Sequence, residues 1–347
     1  MKKNLIALAV LAASGVASAQ SSVTLYGIAD VWVGSAKSGD VRNTKLDSGG
    51  VSGSRFGFMG SEDLGGGLKA NFVLESGFNI DTGANTTSTN VAGATTTNLF
   101  SRQSYVGFSG NFGAVKLGKM FTAYDDINGA TNAAFDSVLS PQNKVWLSGN
   151  FNANPGNSVY YSSPSLSGFS GAVSYSLGEN KNVPVVGVSA GKIASFHAKY
   201  EGGPIYAGVA YQTEKATGAA VETKFTRVNG SYDLGVVKLL AGYGHVANYD
   251  VVGTTVTNVG KTNDYQIGAD FPLSSALTIS GGFAQSKTTD RSVGLADTKR
   301  TGLGLAASYS LSKRTSLYGG VQSSKQKQNG FADVKSDLYA VGVRHAF

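Results

Sequence analysis

The sequence predicts an all-β protein, a 16-stranded antiparallel transmembrane β-barrel whose third external loop folds inward. Three observations predict this fold class. Segments of about ten residues alternate between apolar and polar side chains, as strands between two environments do. Short turns alternate with long polar loops along the whole chain. One loop, of about 35 residues, is too long for an ordinary connection in a compact domain.

The first residues have the pattern of a secretory signal peptide. Two lysines precede the apolar run Leu5–Ala13, and a small-residue motif ends at Ala19. This pattern predicts cleavage between Ala19 and Gln20, and the apolar run is too short to span a membrane as a helix. We therefore expect residues 1–19 to be removed and residues 20–347 to form the barrel.

Composition limits the chemistry available to the remaining chain. The sequence contains no cysteine, which excludes disulfides and thiolate chemistry. The formal net charge falls from +7 to +5 when Lys2 and Lys3 are removed. Because no dense run of Lys or Arg occurs, this balance favours a solvated surface or a cavity for anions over nucleic-acid binding.

The alternation recurs in segment after segment. Apolar residues occupy every second position in each, as in 70–74, 194–200, 237–243, 265–271 and 303–309. Short turns are predicted at 62–67, 110–113, 164–169, 201–204, 233–235, 272–276 and 311–313. Long loops are predicted at 36–50, 79–98, 122–157, 178–191, 215–222, 247–262, 287–298 and 325–335.

This arrangement of turns separates about sixteen strands, an even number with both chain ends on the short-turn side. A barrel in lipid must close, because an open edge would leave backbone groups unpaired. Sixteen strands enclose a lumen too wide for side chains to fill, so we expect a water-filled channel.

The loop Thr122–Asn157 carries both apolar and acidic residues. Its aromatic and aliphatic side chains are numerous enough to pack against another surface, which argues against disorder. The loop contains three aspartates and a single basic residue, Lys144. A long, packable loop between two strands needs an interior to fold into, and the lumen provides one.

Basic and acidic residues recur on the face opposite the apolar one. A Lys or Arg on the lipid face near the midplane would cost about 2–4 kcal/mol, so alternation places these side chains inward. The residues predicted to face the lumen are Tyr26, Asp30, Lys69, Glu75, Lys199, Arg227, Lys238, Arg300 and Arg344.

Several segments resemble the Gram-negative general diffusion porins of beta-proteobacteria, of the Neisseria, Bordetella and Burkholderia type. They are Val23–Asp30 (VTLYGIAD), Ser54–Leu68 (SRFGFMGSEDLGGGL), Ser101–Gly107 (SRQSYVG), Val115–Gly118 (VKLG) and Val343–Phe347 (VRHAF). They span the mature chain in order. The resemblance implies that Thr122–Asn157 is the third external loop, which narrows the pore. It also implies a homotrimer in which the loop 79–98 contacts a neighbour.

The last strand resembles the assembly signal of outer-membrane barrels. Its alternating face ends on a C-terminal Phe and comprises Tyr339, Val341, Val343, His345 and Phe347. The implied partners are the lipid bilayer, lipopolysaccharide and the outer-membrane barrel assembly machinery.

The predicted constriction places bases of the wall opposite acids of the loop. Its members are Arg55, Arg102, Lys116, Lys119, Asp125, Asp126 and Asp136. Arg102 shares its phase with Phe100 and Phe108, so a bulge between Arg102 and Phe108 would be needed to turn it inward. Lys116 and Lys119 differ in parity, so strict alternation turns at most one of them inward.

The predicted function is an outer-membrane channel for passive diffusion of ions and small hydrophilic solutes, with a weak preference for anions. Alternatives are a substrate-specific channel, or a barrel whose loops act as an adhesin or receptor. The enzyme-like strings 187–191 and 302–307 lack the strand–turn–helix context their chemistry needs, so we predict no enzyme. No metal-ligand spacing occurs, and we predict no cofactor.

Overall fold

The computed structural model describes residues 22–89, 95–178, 190–217, 221–252, 255–290 and 297–347. The predicted signal peptide and its cleavage site between Ala19 and Gln20 lie outside these ranges. Within them, no helix has the length and apolar character needed to cross a membrane.

Sixteen strands form the barrel, and each pairs antiparallel with its chain neighbour. They are β1 Ser22–Ser38, β2 in two segments (Val41–Ser48 and Arg55–Gly65), β3 Leu68–Gly77, β4 Gln103–Gly110, β5 Gly113–Lys119, β6 Ser158–Ser162, β7 Phe169–Leu177, β8 Lys192–Gly202, β9 Ile205–Lys215, β10 Val221–Asp233, β11 Lys238–Val252, β12 Thr255–Pro272, β13 Leu277–Asp290, β14 Thr298–Ser310, β15 Thr315–Gln328 and β16 Val334–Ala346.

The first and last strands close the barrel. β1 pairs with β16 in continuous register from Ile28 opposite Ala346 to Ser38 opposite Ser336. Its other edge pairs with both segments of β2. Among the described strands no edge is left open to lipid, as a membrane barrel requires, and the predicted fold class is confirmed.

The short turns lie where the sequence predicted them, and several long loops are shorter than predicted. β1 and β2 continue as a hairpin through most of 36–48, and β11 and β12 continue through most of 247–262. Residues 41–46 of the first extension are all exposed, so no buried face imposes apolar alternation on them. Backbone pairing extends both hairpins, and the alternation of side chains does not reveal it. In the loop 79–98 the structure shows a small hairpin, Thr87–Thr89 with Thr95–Thr97.

Alternation sorts the side chains of the strands between lipid and lumen. Large apolar residues remain exposed on the outer face, among them Val106, Phe108, Leu117, Val173, Phe196, Ile267, Leu303, Leu305 and Val341. The face of β16 that carries the predicted assembly signal is exposed as well, with Tyr339, Val341, Val343, His345 and Phe347 all outward.

The buried core lies between the loop Thr122–Asn157 and the inner wall. We call this segment the constriction loop; it contains two short 3-10 helices, Asp125–Ile127 and Ala134–Asp136, and a short helix, Pro141–Val145. Its apolar residues pack in clusters against wall residues, for example Leu139 near Trp32 and Tyr318. The predicted inward fold of this loop is what the structure shows.

Candidate pore constriction

Hydrogen bonds between side chains and backbone carbonyl groups hold the constriction loop against the wall. Gln266 on β12 donates through Nε2 to the Thr131 carbonyl oxygen at 2.6 Å. The Trp146 indole in turn donates to the Tyr265 carbonyl oxygen at 3.1 Å. These bonds satisfy buried polar groups that would otherwise be costly, so they fix where the loop lies.

Arg227 lies beneath the loop and is 1% exposed. Its Nη1 donates to the Asn128 carbonyl oxygen at 3.0 Å, and its guanidinium lies over the rings of Tyr124 and Trp146 at 5.5 and 5.2 Å. Arg227 lies on the inner side of the wall, where alternation places it, and the loop covers it. It therefore anchors the loop.

Glycines of the wall make room for the loop. An ideal β-carbon on Gly268 or Gly282 would lie 2.7 or 2.6 Å from the β-carbon of Ala133. One on Gly304 would lie 2.8 Å from Pro141 Cδ. These positions belong to β12, β13 and β14, so the loop rests where the wall has no side chain.

A carboxylate between two arginines organises the opposite wall. Glu75 on β3 is 3% exposed. Arg102 donates through Nε to its Oε1 at 2.7 Å, and Arg55 Nε lies 3.7 Å from its Oε2. The Tyr26 hydroxyl donates to Oε2 at 3.0 Å. The two guanidinium groups are thereby held side by side, with only partial neutralisation of their charge.

Arg102 turns inward without the bulge that the sequence suggested. β4 begins at Gln103, and its register with β3 is regular from Glu75 opposite Gln103 to Lys69 opposite Ser109. Arg102 precedes the strand, so alternation does not apply to it. Its guanidinium reaches Glu75 and lies 5.1 Å from the Phe121 ring.

Both lysines of β5 point into the barrel. Lys116 Nζ lies 4.7 Å from the Tyr160 ring and 5.2 Å from the Tyr105 ring. Lys119 donates to the Asn154 carbonyl oxygen of the constriction loop. Gly118 between them has a φ of +136°, where the phase of the strand breaks. Because of this break, Lys116 and Lys119 can both point into the lumen, which strict alternation would not allow.

Arg344 and Asp30 meet the segment between the two parts of β2. Arg344 Nε donates to Ser52 Oγ at 3.0 Å. Asp30 is fully buried, and its carboxylate accepts the backbone N–H groups of Gly50, Val51 and Ser52 at 2.8–3.0 Å. Residues 50–52 fold over Asp30 and separate its carboxylate from the water of the lumen.

Asp125 and Asp126 lie in the first turn of the constriction loop. Burial raises the pKa of Asp125 to about 7, and the neighbouring Asp126 and Asp136 contribute to that rise. The Asp126 side chain is 31% exposed, accepts the Tyr160 hydroxyl at 2.6 Å and lies 3.4 Å from His197 Nδ1. Its pKa is also raised by burial within the barrel, and the bond from Tyr160 opposes that rise.

Asp136 lies further along the loop. It accepts hydrogen bonds from the side-chain amides of Asn143 and Asn132, at 3.0 and 2.5 Å. Burial raises the pKa of its carboxyl, and these two bonds oppose the rise. The three loop acids are therefore not equivalent: Asp126 and Asp136 have donors that favour ionisation, and Asp125 carries the raised pKa of about 7.

The remaining predicted lumen residues lie away from this cluster. Lys69 and Lys238 lie near the short turns, where Asp63 is opposite Lys69 and Asp233 is opposite Lys238. Lys199 Nζ pairs with Glu201 at 2.9 Å. Arg300 donates through Nε to Gln326 Oε1 at 2.9 Å.

Comparison with known proteins identifies the family of this chain. A family model described as Gram-negative porin matches residues 6–329. The chain belongs to the Gram-negative porin family. This porin is 34% identical to outer membrane porin protein 32 of Delftia acidovorans over 381 residues, covering 100% of both chains. It is 30% identical to an outer membrane porin protein of Bordetella pertussis over 406 residues, again covering 100% of both.

A solved structure has the same architecture. The anion-selective porin from Comamonas acidovorans is 26% identical, with a TM-score of 0.75 over 94% of this chain and 100% of that chain. Family and fold together give the function in general terms. The porin lies in the outer membrane and is a channel for passive diffusion through a closed barrel.

Three residues of the porin's constriction were not predicted from the sequence. Tyr105 and Tyr160 place their rings against Lys116. His197 donates through Nδ1 to the Ala123 carbonyl oxygen at 2.7 Å and faces Asp126. All three occupy inward positions of their strands. Alternation alone would have found them, had polar aromatic side chains been counted together with the charged ones.

Proposed function

We propose that this porin conducts small anions in preference to cations. The observation that carries the proposal is the grouping of Arg55, Arg102 and Arg344 on one side of the lumen, with Glu75 as the acid between the first two. Positive charge that lines a narrow passage raises the local concentration of anions and lowers that of cations. The anion-selective character of the Comamonas acidovorans porin supports the same assignment.

The loop acids temper this preference without cancelling it. Burial raises the pKa of Asp125 to about 7, so this residue carries less negative charge near neutral pH than an ordinary aspartate. Lys116 and Lys119 add positive charge on β5, the strand that leads into the constriction loop. We propose that solutes pass between the arginine side and these acids, with size set by the constriction loop.

Reversal potentials in a potassium chloride gradient test the charge preference. Wild-type channels in planar bilayers are expected to favour chloride. Replacing both Arg55 and Arg102 with Gln should move the reversal potential toward cation preference. The matched control Arg42→Gln/Arg314→Gln changes exposed arginines outside the constriction and should leave it unchanged. A cation-preferring wild type would refute the proposal.

Two other functions are compatible with the sequence. A substrate-specific channel would show conductance that saturates with one solute at low concentration, whereas a diffusion channel gives conductance proportional to salt. An adhesin or receptor would lose ligand binding, and keep its conductance, when the external strands Thr87–Thr89 and Thr95–Thr97 are removed. The charge arrangement inside the lumen favours the diffusion channel.

We also propose the assembly and partners that the family resemblance implies. Residues 1–19 are removed, the barrel assembly machinery reads the face of β16 that ends at Phe347, and three copies associate in contact with lipopolysaccharide. Channel openings in three equal steps would support the trimer. N-terminal sequencing of protein purified from outer membranes should begin at Gln20.

A further inference from the structure

Two apolar side chains interrupt the polar inner face of the barrel wall. Met59 on β2 is directly opposite Val73 on β3, and Val73 is directly opposite Tyr105 on β4. Met59 shares the inward phase of Arg55 on the same strand and is 42% exposed. Inward positions of a water-filled barrel are ordinarily polar. Apolar surface left open to water inside the channel is therefore available to a solute that carries apolar surface of its own.

These side chains lie in a recess of the inner wall with a volume of about 380 Å³. By strand phase, most of the residues that line it on β1–β5 point into the lumen, among them Thr24, Met59, Asn71, Val73, Tyr105 and Lys116. A concavity of this size with an apolar floor and a few polar groups at its margin is typical of sites that bind small molecules.

The recess lies between the arginines of the constriction and the short-turn end of the barrel. β2 runs toward the short turn that leads into β3, and Met59 follows Arg55 by four residues. That separation is about 13 Å along the strand, or about 9 Å along the barrel axis at a tilt near 45°. A solute that has passed the arginines from outside therefore meets the recess next.

Lys116 provides a positive charge at the end of the recess nearest the constriction loop. Its Nζ lies 5.2 Å from the centroid of the Tyr105 ring and 4.7 Å from that of Tyr160. Within the described ranges of the chain, Lys116 forms no ion pair. Asp126 acts on its charge from a greater distance and accepts the Tyr160 hydroxyl at 2.6 Å. Because an ammonium group has three N–H donors, Lys116 can also bind an anionic group of a solute.

We propose that this recess binds aromatic monocarboxylates, of which benzoate is the simplest. The ring packs against Met59 and Val73, and the carboxylate accepts hydrogen bonds from the Lys116 ammonium. β3 and β5 are two strand spacings apart, about 10 Å. The lysine side chain spans part of that distance, and the remainder suits a ligand one ring long.

The proposal rests on the anion preference proposed above and names a class of solute within it. Chloride and acetate interact with the channel through their charge and gain little from Met59 and Val73. An aromatic carboxylate gains from both the charge of Lys116 and the apolar floor. The recess thus adds a step that depends on apolar surface, on the short-turn side of the passage between the arginines and the loop acids.

Block of chloride current in planar bilayers tests the proposal, because a solute held in the recess occludes part of the lumen. Benzoate is compared with acetate, which has the same charge without the ring, and with benzyl alcohol, which has the ring without the charge. Burial of a ring in place of a methyl group increases affinity about tenfold, so benzoate should reach half-block at a concentration about tenfold lower than acetate. Benzyl alcohol should block more weakly than benzoate.

The variant Met59→Gln/Val73→Thr replaces both apolar side chains with polar ones of similar shape. The advantage of benzoate over acetate should fall from about tenfold to about twofold. The matched control Val41→Thr/Leu46→Gln makes comparable changes at exposed positions of the external extension of β2 and should keep the full difference. Migration as the compact form in unheated gels verifies that both variants have folded.

The charge of Lys116 is tested separately. Lys116→Gln should weaken block by benzoate, and Lys116→Arg should retain it because the charge is kept. Equal half-block by benzoate and acetate in the wild type, or a benzoate advantage that survives Met59→Gln/Val73→Thr, would overturn the recess. An advantage lost only in Arg55→Gln/Arg102→Gln would place the site at the arginines and would also overturn the proposal. Failure of the proposed function is a separate observation, because it shows as cation preference in the absence of benzoate.

Discussion

Asp125 carries a charge that changes with pH near neutrality. Burial and two neighbouring acids raise its pKa to about 7. Below that pH the carboxyl is protonated and neutral, and above it the carboxylate adds negative charge to the constriction. We therefore expect the preference for chloride to weaken, by about twofold in permeability ratio, as the pH rises from 6 to 8. Reversal potentials measured across this range check the prediction.

The variant Asp125→Asn isolates this residue. Its selectivity should stay flat between pH 6 and 8, close to the wild-type value at pH 6, because the amide is neutral throughout. A slope that persists in the Asn variant would assign the effect to another group. Asp233→Asn, on an exposed short turn, should keep the wild-type slope.

The constriction loop is the element whose position controls the pore, and the glycines beneath it determine that position. We expect Gly304→Ala to push the loop off the wall, because the new β-carbon would lie 2.8 Å from Pro141 Cδ. Overpacking of this kind costs about 1–3 kcal/mol. Single-channel conductance should fall, because the loop moves toward the lumen, and thermal unfolding should occur at a lower temperature.

A second glycine provides the control for this element. Gly230 on β10 has its nearest neighbour, the Tyr206 carbonyl oxygen, 3.4 Å from the ideal β-carbon position. Gly230→Ala should therefore leave conductance unchanged. Equal conductance in Gly304→Ala and the wild type would show that the loop can shift without narrowing the passage.

The same elements show how far the sequence predicts the structure. Strands within the membrane follow from alternation, because lipid and lumen impose different side chains on their two faces. The extension at 41–46 does not follow, since its residues are exposed on both faces. Arg227 shows a second limit: alternation gives its inward direction, but only the folded loop reveals that Tyr124 and Trp146 cover it.

The charged cluster combines predictable and unpredictable parts. Arg55 and Glu75 follow from strand phase. Arg102 and Lys119 do not, because one precedes its strand and the other follows the break at Gly118. Both reach their positions through irregular backbone, which depends on local dihedral angles and on the loop that receives them.

The whole molecule depends on one seam, where the two ends of the chain meet. The Gly27 N–H donates to the Phe347 carbonyl oxygen at 3.1 Å, and the Phe347 N–H donates to the Gly27 carbonyl oxygen at 3.0 Å. The Phe347 ring also covers the face of Gly27. Each closing bond is worth about 1 kcal/mol, and an unpaired group at a barrel edge costs more.

Deleting Phe347 should therefore weaken the closed barrel. After refolding in detergent, we expect a lower urea midpoint and a smaller fraction that migrates as the compact form in unheated gels. Phe331→Ser, at an external position that is 70% exposed, is the matched loss of an aromatic ring and should behave as the wild type. If deletion lowers yield in cells but leaves refolding in detergent unchanged, Phe347 acts through recognition during assembly and not through the seam, because the seam is the same in both settings.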